Sequence, residues 1–324
     1  MQLSLTAGPC CLKMDRFKIT LPPDNHFNSK MALKNILISL SFISFLSFSA
    51  GISWGQDQKG PETKNKKEKH KTGSLYGSWG YNQETYTKSD IHVLQNGLGN
   101  NYEFVQVNGH DHEGWNSGVI NKALTIPQYN YRIGYYFNDK QDLAIELNFD
   151  HTKYIIVDGT SQHIKGTFNH RPVDSTVVFS QANGDYYYLN NGANFFLFNI
   201  VKRVGLHHSR NNNVRIDLTG KAGIGPVIPH VQNSFFGNAN DPHFQLGGWN
   251  TGIELALRAT FMRYAFIEFS QKLDYARYSN LKVYDGTAKQ SFGTYETILS
   301  VGAIMPTTKH NAMFQKGSAN PILK

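Results

Sequence analysis

From Val214 to Ile224 the chain reads Val-Arg-Ile-Asp-Leu-Thr-Gly-Lys-Ala-Gly-Ile, with apolar or small residues at every second place and Arg215, Asp217 and Lys221 between them. Successive side chains of a strand point to opposite faces, so this segment has one oily face and one charged face. The oily row needs an apolar surrounding, and the charged row needs an interior where opposite charges meet. A sheet closed on itself and set in a bilayer meets both needs, and each strand then requires only about ten residues to cross.

Seven further segments repeat the pattern. They are Leu75 to Asn82, Tyr129 to Phe137, Asp142 to Tyr154, Phe195 to Val204, Trp249 to Phe261, Tyr264 to Tyr275 and Ser291 to Met305. With Val214 to Ile228 they make eight strands. The connections after the second, fourth and sixth are short, and those after the others are longer. Short turns at one end, long loops at the other and an even strand count describe an all-β, antiparallel up-and-down transmembrane β-barrel with long extracellular loops. A soluble sandwich would need a second oily face where the rows of charge lie.

The inward row holds Arg132, Arg215, Lys221, Arg258 and Lys272 against Glu146, Asp217, Glu254, Glu268 and Glu296. An eight-stranded barrel is only wide enough inside for side chains to fill it. The expectation is a lumen plugged by ion pairs, unsuited to transport of large solutes.

Composition agrees with a sheet at a membrane. Only 17% of residues are charged, while 17 tyrosines and 21 phenylalanines supply strand formers and interface aromatics. The formal charge of +8 owes much to six lysines between Lys59 and Lys71, a tract without apolar periodicity that reads as a solvated linker rather than a nucleic-acid surface.

Ahead of it, Met31-Ala-Leu-Lys34, the apolar run Ile36 to Phe48 and the small residues Ser53 and Gly55 have the order of a cleavable export signal. The domain reading is therefore an upstream extension at 1–30 that is not native, a signal peptide at 31–55, a periplasmic linker at 56–72, the barrel at 73–305 and a tail at 306–324. The two cysteines, Cys10 and Cys11, precede the signal, so neither disulfides nor lipoprotein acylation enter the mature chain.

Leu75-Tyr-Gly-Ser-Trp-Gly-Tyr-Asn82, Thr87-Lys-Ser-Asp-Ile-His92, Gln128-Tyr-Asn-Tyr-Arg-Ile-Gly-Tyr-Tyr-Phe137 and Asp150-His-Thr-Lys-Tyr154 resemble a group of small outer-membrane β-barrel proteins from Bacteroidota and related bacteria. The resemblance spans roughly Gly73 to Met305 and implies a location in the cell outer membrane and a fold, with no activity attached. Outer-membrane lipid A deacylases carry a His-x-Ser pair on a late strand, but the nearest stretch here is Arg277-Tyr-Ser-Asn280. Arginine stays protonated and cannot activate serine as a general base. The lipid A palmitoyltransferase shares only overall size.

Candidate chemistry lies in the loops. Glu84 to Ile126 contains His92 and His110-Asp-His-Glu113, and His151 can approach from a neighbouring strand, so His110, Asp111, His92 and His151 are acid–base candidates and His110 with His112 a candidate metal pair. The spacing matches no strong motif, and no cofactor is implied. Two functions follow as expectations. The first is a non-enzymatic barrel whose loops contact outer-membrane lipids and lipopolysaccharide, extracellular glycans or proteins. The alternative is a lipid A-modifying or lipid-hydrolysing enzyme using those loop residues.

The export reading makes a direct prediction. N-terminal sequencing of the exported protein should begin at Gln56, and peptide mapping of its precursor should begin at Met31; a tryptic peptide from residues 1–30 would refute the assigned start.

Overall fold

The computed structural model describes residues 73–111, 128–137, 141–189, 192–210 and 213–307. The upstream extension, signal, linker, nearly all of the tail and His112 lie outside them. The described chain is antiparallel β-structure throughout, with two single 3-10 turns and no α-helix. Its strands in order are β1 (Ser74–Tyr86), β2 (Ser89–Gln95), β3 (Asn100–Val107), β4 (Gly109–His110), β5 (Tyr129–Tyr136), β6 (Leu143–His151), β7 (Tyr154–Ile156), β8 (Thr160–Phe168) and β9 (Arg171–Phe179). There follow β10 (Tyr186–Leu189), β11 (Phe195–His208), β12 (Val214–Val227), β13 (His230–Phe235), β14 (Asn238–Ala239), β15 (His243–Phe244), β16 (Gly248–Phe261), β17 (Ala265–Val283) and β18 (Gly286–Pro306).

Eight of these form a closed ring, in the order β1, β5, β6, β11, β12, β16, β17, β18 and back to β1. The closing pair runs from Ser74 opposite Pro306 to Tyr86 opposite Thr294. Each expected strand is one member of the ring. The alternation fixes which way every residue points, because a slip of one residue would exchange the faces. Leu143, Ile145 and Leu147 on β6 are exposed, whereas Glu146, Asn148 and Asp150 are buried. On β5, Gly134 faces Tyr76 so closely that a Cβ there would lie 2.2 Å from the tyrosine ring.

Two boundaries differ from the sequence reading. β11 continues to His208 through a register shift between Gly205 and His207, so His207 and His208 belong to a strand and not to the turn expected from Gly205. The long connection expected after the seventh strand is instead a hairpin, in which β17 and β18 run on to a two-residue turn at Tyr284 and Asp285. A bulge between Tyr278 and Leu281 shifts the alternation there, which hides the strand from a period-two pattern.

The described parts of the other long connections are also built of strands. β2 carries on beside β18 past Thr87, whose backbone N–H donates to Gly293 O at 2.9 Å and whose hydroxyl accepts from Gly293 N at 2.9 Å. From β2 the sheet unrolls through β3, β8 and β9, while β14, β13, β10, β7 and β4 make a second sheet. One buried cluster joins them, including Val93, Phe104 and Ile164 from the first sheet and Tyr154, Tyr187 and Phe235 from the second. It continues into the ring mouth through Phe195, Tyr278 and Phe292. We term this part the cap. The apolar alternation of these short segments is buried across the two sheets, which is why they order.

Phe104 packs against Tyr102, Phe179 and Phe235 at centroid distances of 5.6, 5.8 and 5.3 Å. Phe104→Ala should cost the cap about 3–5 kcal/mol. Limited proteolysis should then cut between β2 and β10 and spare the β16 to β18 fragment; an unchanged digestion pattern would show that Phe104 does not hold the cap.

Candidate functional site

The densest chemistry of the molecule lines the inside of the ring, in three levels. Nearest the short turns, Arg215 Nε meets Asp217 Oδ2 at 2.8 Å, and Arg203 Nη2 donates to Gln141 Oε1 at 2.7 Å. The Arg203 guanidinium also lies 4.5 Å from the centre of the Tyr136 ring. Beside them Tyr76, Tyr136, Val201, Phe266 and Ile304 form a small apolar cluster.

The middle level centres on Glu268. Its Oε2 accepts from Arg258 Nε at 2.6 Å, and its Oε1 accepts from Lys221 Nζ at 3.0 Å and Arg132 Nη1 at 3.2 Å. Lys221 also contacts Glu254 at 3.1 Å and Glu146 at 3.3 Å, and Arg132 Nη2 contacts Glu254 at 2.9 Å. Tyr76 donates its hydroxyl proton to Glu146 Oε2 at 2.8 Å. Arg258 stacks on Phe266 at 4.0 Å and donates to the Tyr136 hydroxyl at 2.9 Å. Arg132 and Arg258 are 1% and 0% exposed, so both guanidinium groups depend wholly on these partners.

In the level nearest the cap, the Lys272 ammonium touches Asp150, Asp274 at 2.5 Å and Glu296 at 3.4 Å. Ligand atoms of these three carboxylates lie within 4.8 Å of one another, the one group with metal-like spacing among the described residues. The ammonium between them supplies the positive charge that a bound cation would bring. Glu84 completes this level, accepting from Asn82, from Gln128 Nε2 at 2.5 Å and from Tyr86 Oη at 2.8 Å.

All ten residues of the sequence-derived network are thus buried and ion-paired inside the ring. Sequence reasoning omitted Arg203, Glu84, Asp150 and Asp274. Asp150 and Asp274 stand at inward positions of strands already recognised, so strict alternation was sufficient to include them.

The loop histidines are placed separately. His92 Nε2 pairs with Asn101 Oδ1 at 2.8 Å, His110 Nε2 with Asn108 Nδ2 at 3.1 Å, and His151 Nδ1 with Asn194 Oδ1 at 2.9 Å while its ring stacks on Tyr129. Asp111 Oδ2 accepts the Glu84 backbone N–H at 2.8 Å. None of these three histidines joins a metal-like group among the described residues. In the cap next to them, burial lowers the ammonium pKa of Lys153, partly opposed by Asp111, and pushes the Tyr154 phenol up to about 12.

No protein-family model matches this chain, and neither does any curated protein. Similar solved structures include the attachment invasion locus protein Ail of Yersinia pestis in complex with the heparin analogue sucrose octasulfate, at 16% identity over 72% of this chain and 99% of that one, TM-score 0.27. They also include the outer membrane protein OprG of Pseudomonas aeruginosa, at 10% identity over 73% and 97%, TM-score 0.33. A third is the N-terminal β-barrel domain of OprF from the same organism, at 11% identity over 72% and 98%, TM-score 0.29.

Because three cations share Glu268, Glu268→Ala should destabilise the ring by about 3–5 kcal/mol, the cost of stranding a buried charge. The urea midpoint of the detergent-solubilised protein should fall accordingly, and a midpoint equal to wild type would remove Glu268 from the centre of the network.

Proposed function

We propose that this chain is an integral outer-membrane β-barrel protein whose side-chain-filled ring anchors a folded extracellular cap, and that the cap is the surface through which it contacts lipids, glycans or proteins. The observation that carries this reading is the inversion of the ring. Its outside is apolar, with Ile133, Ile200 and Ile253 between 60% and 66% exposed, while its inside holds the charges. Leaving each such side chain in water forgoes about 1.5–3 kcal/mol, and the row recurs on every strand of the ring. A soluble monomer rarely tolerates a continuous apolar surface of this kind.

The dimensions support a bilayer. On β16 the outward row runs from Trp249 to Phe261. Twelve steps of roughly 3.3 Å give about 40 Å along the strand, or about 30 Å along the axis at a tilt near 40°. That is about the thickness of a bilayer's hydrocarbon core. The short turns, with the start of β1 at Ser74 and the end of β18 at Pro306, would face the periplasm, and the cap the exterior. Export through the proposed signal peptide is part of the same reading.

Ion pairs fill the ring between apolar clusters at its two ends, an arrangement that supports a plugged lumen. The protein should migrate differently on gels before and after boiling, should need detergent to stay in solution, and should give no single-channel conductance above background in planar bilayers. Identical migration together with solubility in plain buffer would overturn the membrane reading, and a reproducible conductance would overturn the plugged lumen.

A further inference from the structure

Where the cap leaves the ring, the bulge of β17 opens a cleft of about 550 Å³ on the outer face, and Asp90, His92, Tyr275, Arg277, Lys289 and Ser291 are among its lining residues. Arg277 and Lys289 are both exposed, and among the described residues neither makes an ion pair or side-chain hydrogen bond. The two acid–base groups beside them are engaged, Asp90 by the Gln106 backbone N–H at 2.7 Å and His92 by Asn101. Arg277 stands opposite Ser291, two residues from Lys289 on the same strand face. Such diagonal neighbours lie about 7–8 Å apart, near enough for both long side chains to close on one phosphate. A guanidinium offers a forked pair of donors to it and an ammonium a mobile point charge.

The cleft lies directly above the apolar band. Arg277 is opposite Trp249, and two residues below it Tyr275 packs on Trp249 at 5.9 Å; Leu273, another two below, is half exposed. Cations, then an aromatic pair, then an oily surface follow one another along a single face at about 6–7 Å per pair of residues. This is the polarity order of a phosphorylated amphiphile, headgroup above and acyl chains below. We propose that the cleft binds the phosphate-bearing headgroup of a lipid of the surrounding leaflet, with its chains lying on the outer face of β16 and β17. The proposal rests on the membrane reading, since only a bilayer brings such a lipid to that depth.

The test uses the full-length mature chain refolded in dodecyl-maltoside micelles and first checked for heat-modifiable migration. Diphosphoryl lipid A is then added and the fraction of protein retaining it is read by native mass spectrometry. R277Q/K289Q should retain at least five-fold less than wild type, K282Q, at an exposed lysine outside the cleft, should change retention less than two-fold, and excess inorganic phosphate should not displace the lipid. A smaller loss in the double variant, an equal loss in K282Q, or displacement by inorganic phosphate would each overturn the proposal, the last in favour of a soluble phosphate ligand. Wild-type protein that is not heat-modifiable would overturn the membrane reading and the proposal together, whereas a heat-modifiable wild type with an unaffected double variant would overturn the cleft alone.

Discussion

The ring is tied across its middle by a carboxylate, Glu268, that three cations share. A ring of eight strands leaves an interior about as wide as the side chains that enter it. Arg132, Lys221 and Arg258 arrive from β5, β12 and β16, and Glu268 from β17, so one group ties four strands across the lumen. In a low-dielectric interior these charges are costly one at a time and tolerable only together. The hydrogen bonds close the ring at its perimeter, while this network sets which faces point inward along its length.

Energetically the molecule has two different cores. The ring core is polar because its apolar side chains are turned outward, and its cohesion depends on exact partners such as Tyr76 with Glu146. The cap core is aromatic and conventional, with Phe104, Tyr154 and Phe235 excluding water between two sheets. The two meet at Tyr278 and Phe292, whose rings stack at 5.4 Å, and Tyr278 donates its hydroxyl proton to Ala193 O at 3.0 Å. An oily layer therefore separates the lumen charges from the exterior.

The ring was legible in the sequence because a strand buried on one side has a period of two, and each ring strand keeps that period for at least one full crossing. The cap was not. Some of its strands are very short, β4 and β15 having two residues each, and several partners are distant in sequence: β2 pairs with β18, and β10 with both β7 and β13. No local pattern encodes such pairings. Arg203 was missed for another reason: apolar Leu197 and Val201 share its inward row and Lys202 stands in the outward row, so β11 lacks a clean alternation of oily and charged residues. Among the candidate site residues, alternation alone placed the ten network members. The loop histidines had only residue type in their favour, and residue type does not specify proximity.

The rim cleft adjoins the hairpin that stands in place of the long connection after the seventh ring strand. Without the bulge at Tyr278 to Leu281, β17 would continue its alternation and present a flat outer face beyond Tyr275. The irregularity falls where β2 takes its place beside β18, and Arg277 and Lys289 line the concavity there. Bulges commonly re-aim side chains at the rims of closed sheets. Here the departure from regular pairing falls at the level where the exposed apolar row of β17 ends and Arg277 follows Tyr275.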